Sequence, residues 1–202
     1  MSWITPIILR GKHITLVPLS MEHCSDLIEA TKDGELWKLW YATVPSPDGM
    51  MTEIENRLLA QENGTLLPLA VIDNGLGKAI GMTTFLKISE PDRRLDIGWT
   101  WYRQSAQKTS VNTECKFLLL TYAFETLKCV AVGFGANFHN KNSQRAIERL
   151  GAKFEGITRN NRIMPNGTVC DFCRYSIIDS EWPTVKINLQ EKLNKTMINK
   201  LD

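Results

Sequence analysis

No run of apolar residues in this chain of 202 approaches the ~20 that a membrane-spanning helix requires, so no membrane partner is expected. Neither sign of charge dominates: 24 Lys and Arg stand against 22 Asp and Glu, a formal net charge of +2. That balance argues against direct nucleic-acid binding, and any anion site must be local. Cysteine is scarce: the five residues are odd in number and scattered, which argues against a disulfide framework. Cys170 and Cys173 have C-x-x-C spacing but no second pair or histidine cluster beside them. They fall on an expected strand, where such positions face opposite sides, so no metal site is read there. His13, His23 and His139 stand isolated. The first residues, Met1–Pro6, show no basic region followed by a hydrophobic one, which makes the reading cytoplasmic. Without a secretory signal, the formal glycosylation sequon Asn166-Gly167-Thr168 has no consequence. Internal repeats and low-complexity tracts are also missing.

What is present is ordinary globular usage, 43% hydrophobic and 23% charged, at a length that suits one core. We place a single domain at residues 1–185, followed by a polar, Lys/Asn-rich tail, 186–202, expected to fray. Ile14–Leu19 reads as a first strand, entered from Ile7-Ile8-Leu9 through the turn Arg10-Gly11-Lys12. Ser20 is placed to cap a helix over 21–31, and Ile54, Leu58 and Leu59 have helical spacing within 52–62. Residues 66–72 and 78–88 read as a hairpin turned by the two residues Asn74-Gly75. Residues 95–102 suit another strand, and 111–127 an almost continuously apolar helix buried against a sheet. A strand at 130–138 and a helix at 143–150 closed by Gly151 follow. The strand pair 153–163 and 168–178, turned by Pro165-Asn166-Gly167, completes a mixed α/β order.

Two stretches carry chemistry. Arg103–Asn112 joins a strand to the buried helix, which aims several backbone N–H groups and the positive helix end at one spot. Diphosphate suits that geometry, with Lys108 and Arg103 adding charge, although an ordinary strand–helix loop has the same outline. The second stretch is Asn140-Lys141-Asn142-Ser143. Either Asn140 or Asn142 caps the helix that Ser143 opens, or Asn140 bonds an extended amide-bearing ligand with the Ser143 hydroxyl near the reacting atoms.

Together these features resemble the GNAT superfamily over residues 7–182, and most closely its ribosomal-protein N-terminal acetyltransferase branch, the RimJ/RimL type. The resemblance is carried by Ile8-Leu9-Arg10-Gly11, Asp96-Ile97-Gly98-Trp99 and Gln107-x-x-Ser110-x-Asn112-Thr113-Glu114. Asn140-x-x-Ser143-x-x-Ala146-Ile147-x-x-Leu150-Gly151-Ala152, at its distance from the loop, is the most specific of them. The family implies an α/β (α+β) fold: a mixed central sheet of about six or seven strands, splayed between its two central strands, with helices on both faces. It implies transfer of acetyl from acetyl-CoA to a primary amine, a protein N-terminal α-amine or a small molecule's, by direct attack in a ternary complex. A non-catalytic acyl-CoA-binding module is the alternative. By resemblance, Thr100, Trp101 and Tyr102 hold the pantetheine. Gln107, Lys108, Thr109, Ser110, Val111, Asn112 and Thr113 cradle the pyrophosphate, Asn140 contacts the pantetheine arm and Ser143 lies near the thioester sulfur. No metal is implied, and a homodimer is common among relatives. The family has glycine at the position of Ser110 and a small residue at that of Asn112, because the backbone approaches phosphate closely, sometimes with φ > 0.

For the acid that protonates the leaving thiolate, the motif offers Ser143; Tyr122 reads as core. Asp96 is the best-placed carboxylate to take the ammonium proton, and otherwise an exposed or salt-bridged strand residue. Glu114 reads as a helix-start charge favoured by the dipole. Trp37, Trp40 and Tyr41 follow the first helix and form an aromatic wall for the acceptor, core packing being expected for at least one. Trp99 and Trp101 share one side of their strand.

Overall fold

In the computed structural model the strand-forming segments join into one eight-stranded sheet. Residues 3–198 are described; Met1, Ser2 and residues 199–202 of the expected tail lie outside them. The strands are β1 (Leu9–Arg10), β2 (Ile14–Pro18), β3 (Leu66–Asp73), β4 (Lys78–Ser89), β5 (Arg94–Tyr102), β6 (Ala131–Asn137), β7 (Lys153–Ile163) and β8 (Val169–Ile178). The helices are α1 (Cys24–Lys32), α2 (Met50–Glu62), α3 (Val111–Thr121), α4 (Lys141–Leu150) and α5 (Trp182–Ile198). The sheet order is β1-β2-β3-β4-β5-β6-β8-β7. It exceeds the expected strand count because the entry turn closes a small hairpin, in which Leu9 and Arg10 pair with Leu16 and Thr15.

Every neighbouring pair is antiparallel except β5–β6, which is parallel and needs the crossover that α3 supplies. This parallel pair has three rungs: Arg94↔Ala131, Leu95↔Val132 and Asp96↔Gly133. Beyond Asp96, β5 pairs only with β4, and beyond Gly133, β6 pairs only with β8. The sheet therefore splits between its central strands. Gly133 has a local reason to be glycine: a Cβ there would lie 2.1 Å from Asp96 Oδ1.

Helices cover both faces. Leu27 of α1 and Met50 and Ile54 of α2 pack with Ala70, Met82 and Trp101. Cys115 and Leu119 of α3 and Leu189 of α5 pack with Leu69, Phe85 and Leu95. Leu69 and Ala70 are neighbours on β3, so the two clusters occupy opposite faces. A bulge interrupts β5: Met82 pairs with Trp101 and Thr84 with Gly98, leaving Trp99 and Thr100 opposite Thr83 alone. Trp99 takes φ 49, a left-handed conformation costly for a bulky side chain. The bulge flips the strand's phase. Leu95 and Ile97 enter the α3-side core, Trp101 enters the α1/α2-side core, and Tyr102 returns to the α3 side.

Three local expectations are corrected. The Asn74-Gly75 turn spans residues 74–77, because Asp73 Oδ1 accepts the amides of Gly75 and Leu76 at 2.9 and 3.0 Å and Gly77 takes φ 64. The long apolar helix is α3 followed by one wide π-type turn, Tyr122–Thr126. The tail expected to fray is helical through Ile198: Trp182, Val185 and Leu189 are buried at helical spacing, and Trp182 stacks on Phe124 at 5.3 Å. Its mixed Lys/Asn composition hid that one apolar stripe.

Candidate active site

The loop between β5 and α3 is held in place from outside. Asp33, just past α1, accepts from Arg103 Nε at 2.8 Å and from Ser105 through both its amide (3.1 Å) and its hydroxyl (2.6 Å). These bonds, the Ser105 hydroxyl first and Arg103 next, hold the Asp33 carboxyl down at about 2. Within the loop, Gln107 Nε2 donates to the Tyr102 carbonyl at 3.1 Å and Thr109 Oγ1 donates to the Ala106 carbonyl at 2.7 Å. Lys108 takes φ 60, which turns the chain so that successive amides converge. Among the described residues, the amides of Lys108, Thr109 and Ser110 meet no protein acceptor. Ser110 sits at φ −68, ψ −16, and Asn112 lies inside α3. The left-handed position is thus Lys108, and neither departure from the family pattern is strained. A cavity of about 530 Å³ flanks this loop, lined by Thr109, Ser110 and Val111 together with Lys12, His13 and Arg103. Neither Asn140 nor Ser143 lines it.

Glu114 lies one turn into α3 and does more than complement the helix dipole. It is buried, and its carboxylate accepts the amides of Lys12, His13 and Ile14 at 2.6, 2.9 and 3.1 Å. It thereby ties the β1–β2 turn to the helix that opens at the cradle. The packing is close enough that a Cβ on Gly11 would come 2.7 Å from the Glu114 carboxyl carbon. Sequence reading missed this because the partners are backbone groups about a hundred positions away.

Behind the bulge lies a second unanticipated group. Lys116 of α3 is buried, with Nζ donating to Thr100 Oγ1 at 2.6 Å and to Thr83 Oγ1 at 3.5 Å. Burial pushes its ammonium below the ordinary lysine value, and no carboxylate among the described residues pairs with it. Its terminal amine therefore stands one hydroxyl away from the strand segment that borders the split.

Across the split, β6 runs into α4. Asn140 caps this helix, its Oδ1 accepting the Ser143 amide at 3.0 Å, so the capping half of the sequence alternative is present. Ser143 is half-buried and its hydroxyl has no protein partner among the described residues. Gln144 Nε2 donates to the carbonyls of Asn137 and Phe138 at 3.1 and 2.8 Å, which fixes the loop leading into the helix. Asp96 sits on the last rung before the split, paired with Lys87 Nζ at 3.0 Å and, more distantly, with Arg174 Nη1 at 3.9 Å. It is a salt-bridged strand residue.

The three aromatics after α1 separate. Trp40 is 42% exposed, packs edge-on against Tyr41 at 5.7 Å and reaches His139 at 5.2 Å, next to Asn140. Trp37 lies apart under Lys38, 5.9 Å from its ammonium. None of the three joins either core cluster, contrary to the expectation for one of them. Trp99 and Trp101 do share a side, but Trp101 is buried whereas Trp99 is 39% exposed over the Arg57 guanidinium at 5.3 Å.

Comparison with known proteins places this geometry. The acetyltransferase (GNAT) domain family matches residues 13–153. YdaF of Bacillus subtilis (strain 168), named as a ribosomal N-acetyltransferase, is 29% identical over 182 residues, covering 85% of this chain and 94% of its own. A crystal structure from T. thermophilus, described as an acetyltransferase, is 30% identical with a TM-score of 0.83 over 95% of this chain and 99% of that one. Mycobacterium smegmatis RimJ in complex with CoA-disulfide shares the fold at 15% identity, with a TM-score of 0.78 over 93% and 95% of the two chains.

Proposed function

The chain belongs to the GNAT acetyltransferase family, and we propose that it transfers the acetyl group of acetyl-CoA to a primary amine by direct attack. The observation that carries this reading is the split beyond Asp96 and Gly133, bordered at one end by the unengaged amides of Lys108, Thr109 and Ser110. The name of YdaF favours a protein N-terminus as the acceptor, and a small-molecule amine is the second class.

Acetyl-CoA, when bound, supplies an activated acetyl group as a thioester. The residues present fit it: the cradle offers converging N–H donors at a helix start, and Ser110 adopts an ordinary backbone conformation there. The cradle from Gln107 to Thr113 holds the pyrophosphate, while Thr100, Trp101 and Tyr102 offer strand edge groups to the pantetheine. Asn140 supports that arm from the far side of the split. An N–H on the freed edge of β5 stabilises charge developing on the carbonyl oxygen, with the Lys116 amine donating to Thr100 and holding that segment from behind. Ser143 gives its hydroxyl proton to the departing sulfur. Asp96, held by Lys87, receives the proton that the acceptor ammonium loses, directly or through water. Trp40 and Tyr41 wall the acceptor side, and holding both reactants in one cleft supplies much of the acceleration.

The test is calorimetric titration with acetyl-CoA, followed by free-thiol release with peptides and small amines. Ser143→Ala and Asp96→Asn are expected to lower kcat about 10- to 100-fold each while leaving acetyl-CoA affinity within about threefold. Binding without turnover by any amine would favour an acyl-CoA sensor, and normal kcat/KM and pH dependence in Asp96→Asn would remove that residue's role.

A further inference from the structure

One buried cation has no part in this mechanism. Arg57 of α2 has a side chain only 3% exposed. Its Nε donates to Glu53 Oε1 at 2.7 Å and its Nη1 donates to Thr84 Oγ1 at 2.9 Å. A guanidinium carries five N–H donors, and the remainder meet no acceptor among the described residues. Desolvation is the largest influence on the group and lowers its pKa, and the donors that no protein group meets belong to a side chain that lines a cavity.

Arg57 lines a cavity of about 190 Å³ on the α2 side of the sheet, with Glu53, Asn56, Thr43, Trp99 and Arg162. Arg162 comes from β7, is exposed and makes no ion pair among the described residues. Two guanidiniums therefore face one carboxylate, an excess of a single positive charge. Trp99 forms one wall, in the strained conformation that the bulge imposes, and it lies on the part of β5 beyond Asp96 whose edge β6 leaves free. The site thus combines a buried fork of donors, an exposed second cation and an aromatic wall carried on β5, the strand whose freed edge the proposed reaction uses.

We propose that this cavity binds a carboxylate of the acceptor, so that the amine acetylated is one with a carboxylate close by. The excess charge matches one carboxylate rather than a doubly charged phosphate, and the volume admits a carboxylate with a few carbons. Arg57 and Arg162 hold the anion while Trp99 covers its carbon stem. This inference rests on the acetyl-transfer reading above. An acidic side chain near a peptide N-terminus and the α-carboxylate of a free amino acid present the same chemistry.

The experiment measures kcat/KM by thiol release from acetyl-CoA for matched acceptors. One arm compares peptides beginning Ser-Glu and Ser-Gln; the other compares free amino acids with their amides. The expected result is a preference of about tenfold or more for the acidic member in one arm, and that arm identifies the source. Arg162→Gln should reduce the preference to within about threefold while neutral acceptors keep their rate. Turnover of acid and amide alike by the unmodified enzyme, in both arms, overturns the proposal and leaves acetyl transfer intact. Failure of every amine to release thiol overturns acetyl transfer and this proposal with it.

Discussion

On the cradle side of the split, carboxylates are consumed by the backbone: Glu114 takes three amides of the β1–β2 turn, and Asp33 takes the Ser105 amide and hydroxyl with Arg103. On the α2 side the pattern is reversed, with cations that exceed their carboxylate partners and with Trp40 and Trp99 left exposed. The first region is pinned because both carboxylate anchors are met by donors fixed in the fold. The second keeps donors and aromatic surface in reserve. On the proposed function, a loop that presents its own amides to an anion has to be immobilised by something other than those amides, whereas a recognition surface has to leave groups unsatisfied until its partner arrives.

Breaking the first region should cost most. Glu114→Ala strands three amides, that of Ile14 fully buried, and we expect a loss of about 2–4 kcal/mol in denaturant unfolding, together with weaker acetyl-CoA binding as α3 loosens. Lys116→Met should separate stability from function. Replacing a buried, carboxylate-free amine by an apolar side chain of similar length is expected to leave stability within about 1 kcal/mol or raise it, while kcat falls about tenfold at unchanged KM as Thr100 loses its donor. Equal kcat in the variant would confine Lys116 to packing.

Asp33 allows a pH test of the loop anchor. Its carboxyl is depressed to about 2 in the folded chain, against ~3.9 when unfolded, so its contribution is fully present above about pH 4 and disappears as pH falls through 2. Partial exposure limits that contribution to about 1–2 kcal/mol. Asp33→Asn should therefore be less stable at neutral pH and lose less on acidification between about pH 4 and 2, as followed by thermal unfolding. The smallest effect is expected for Ser110→Gly. With φ −68 at that position, restoring the family's glycine should change acetyl-CoA affinity by no more than about threefold; a tenfold gain would show that the serine side chain obstructs the phosphate.

Much of the architecture was readable in advance where local physics decides it. The strands at 95–102 and 153–163, the Ser20 and Asn140 caps and the left-handed Gly151 at φ 103 all follow from neighbours in sequence. The Asn74-Gly75 turn and the α5 stripe depart from that reading because an aspartate side chain and a distant core surface changed what the local residues alone prefer. In the site, the cradle and the Asn140-x-x-Ser143 segment were legible as motifs. The bulge at Trp99 left no signal, since a bulky residue with positive φ runs against its own propensity and is held only by its surroundings.

By itself, then, the sequence determined the alternation of strands and helices, the loop–helix junction at Gln107–Thr113, and the resemblance in Asn140-x-x-Ser143. Those are properties of residues close together along the chain, where propensity, capping and spacing act directly. Only the tertiary structure decided that Glu114 binds a turn about a hundred residues away, that Lys116 stands behind Thr100, and that Arg57 of α2 and Arg162 of β7 line one cavity. Such roles depend on which groups meet after the sheet closes, and a buried charge acquires its function from the partners that folding brings to it, or withholds.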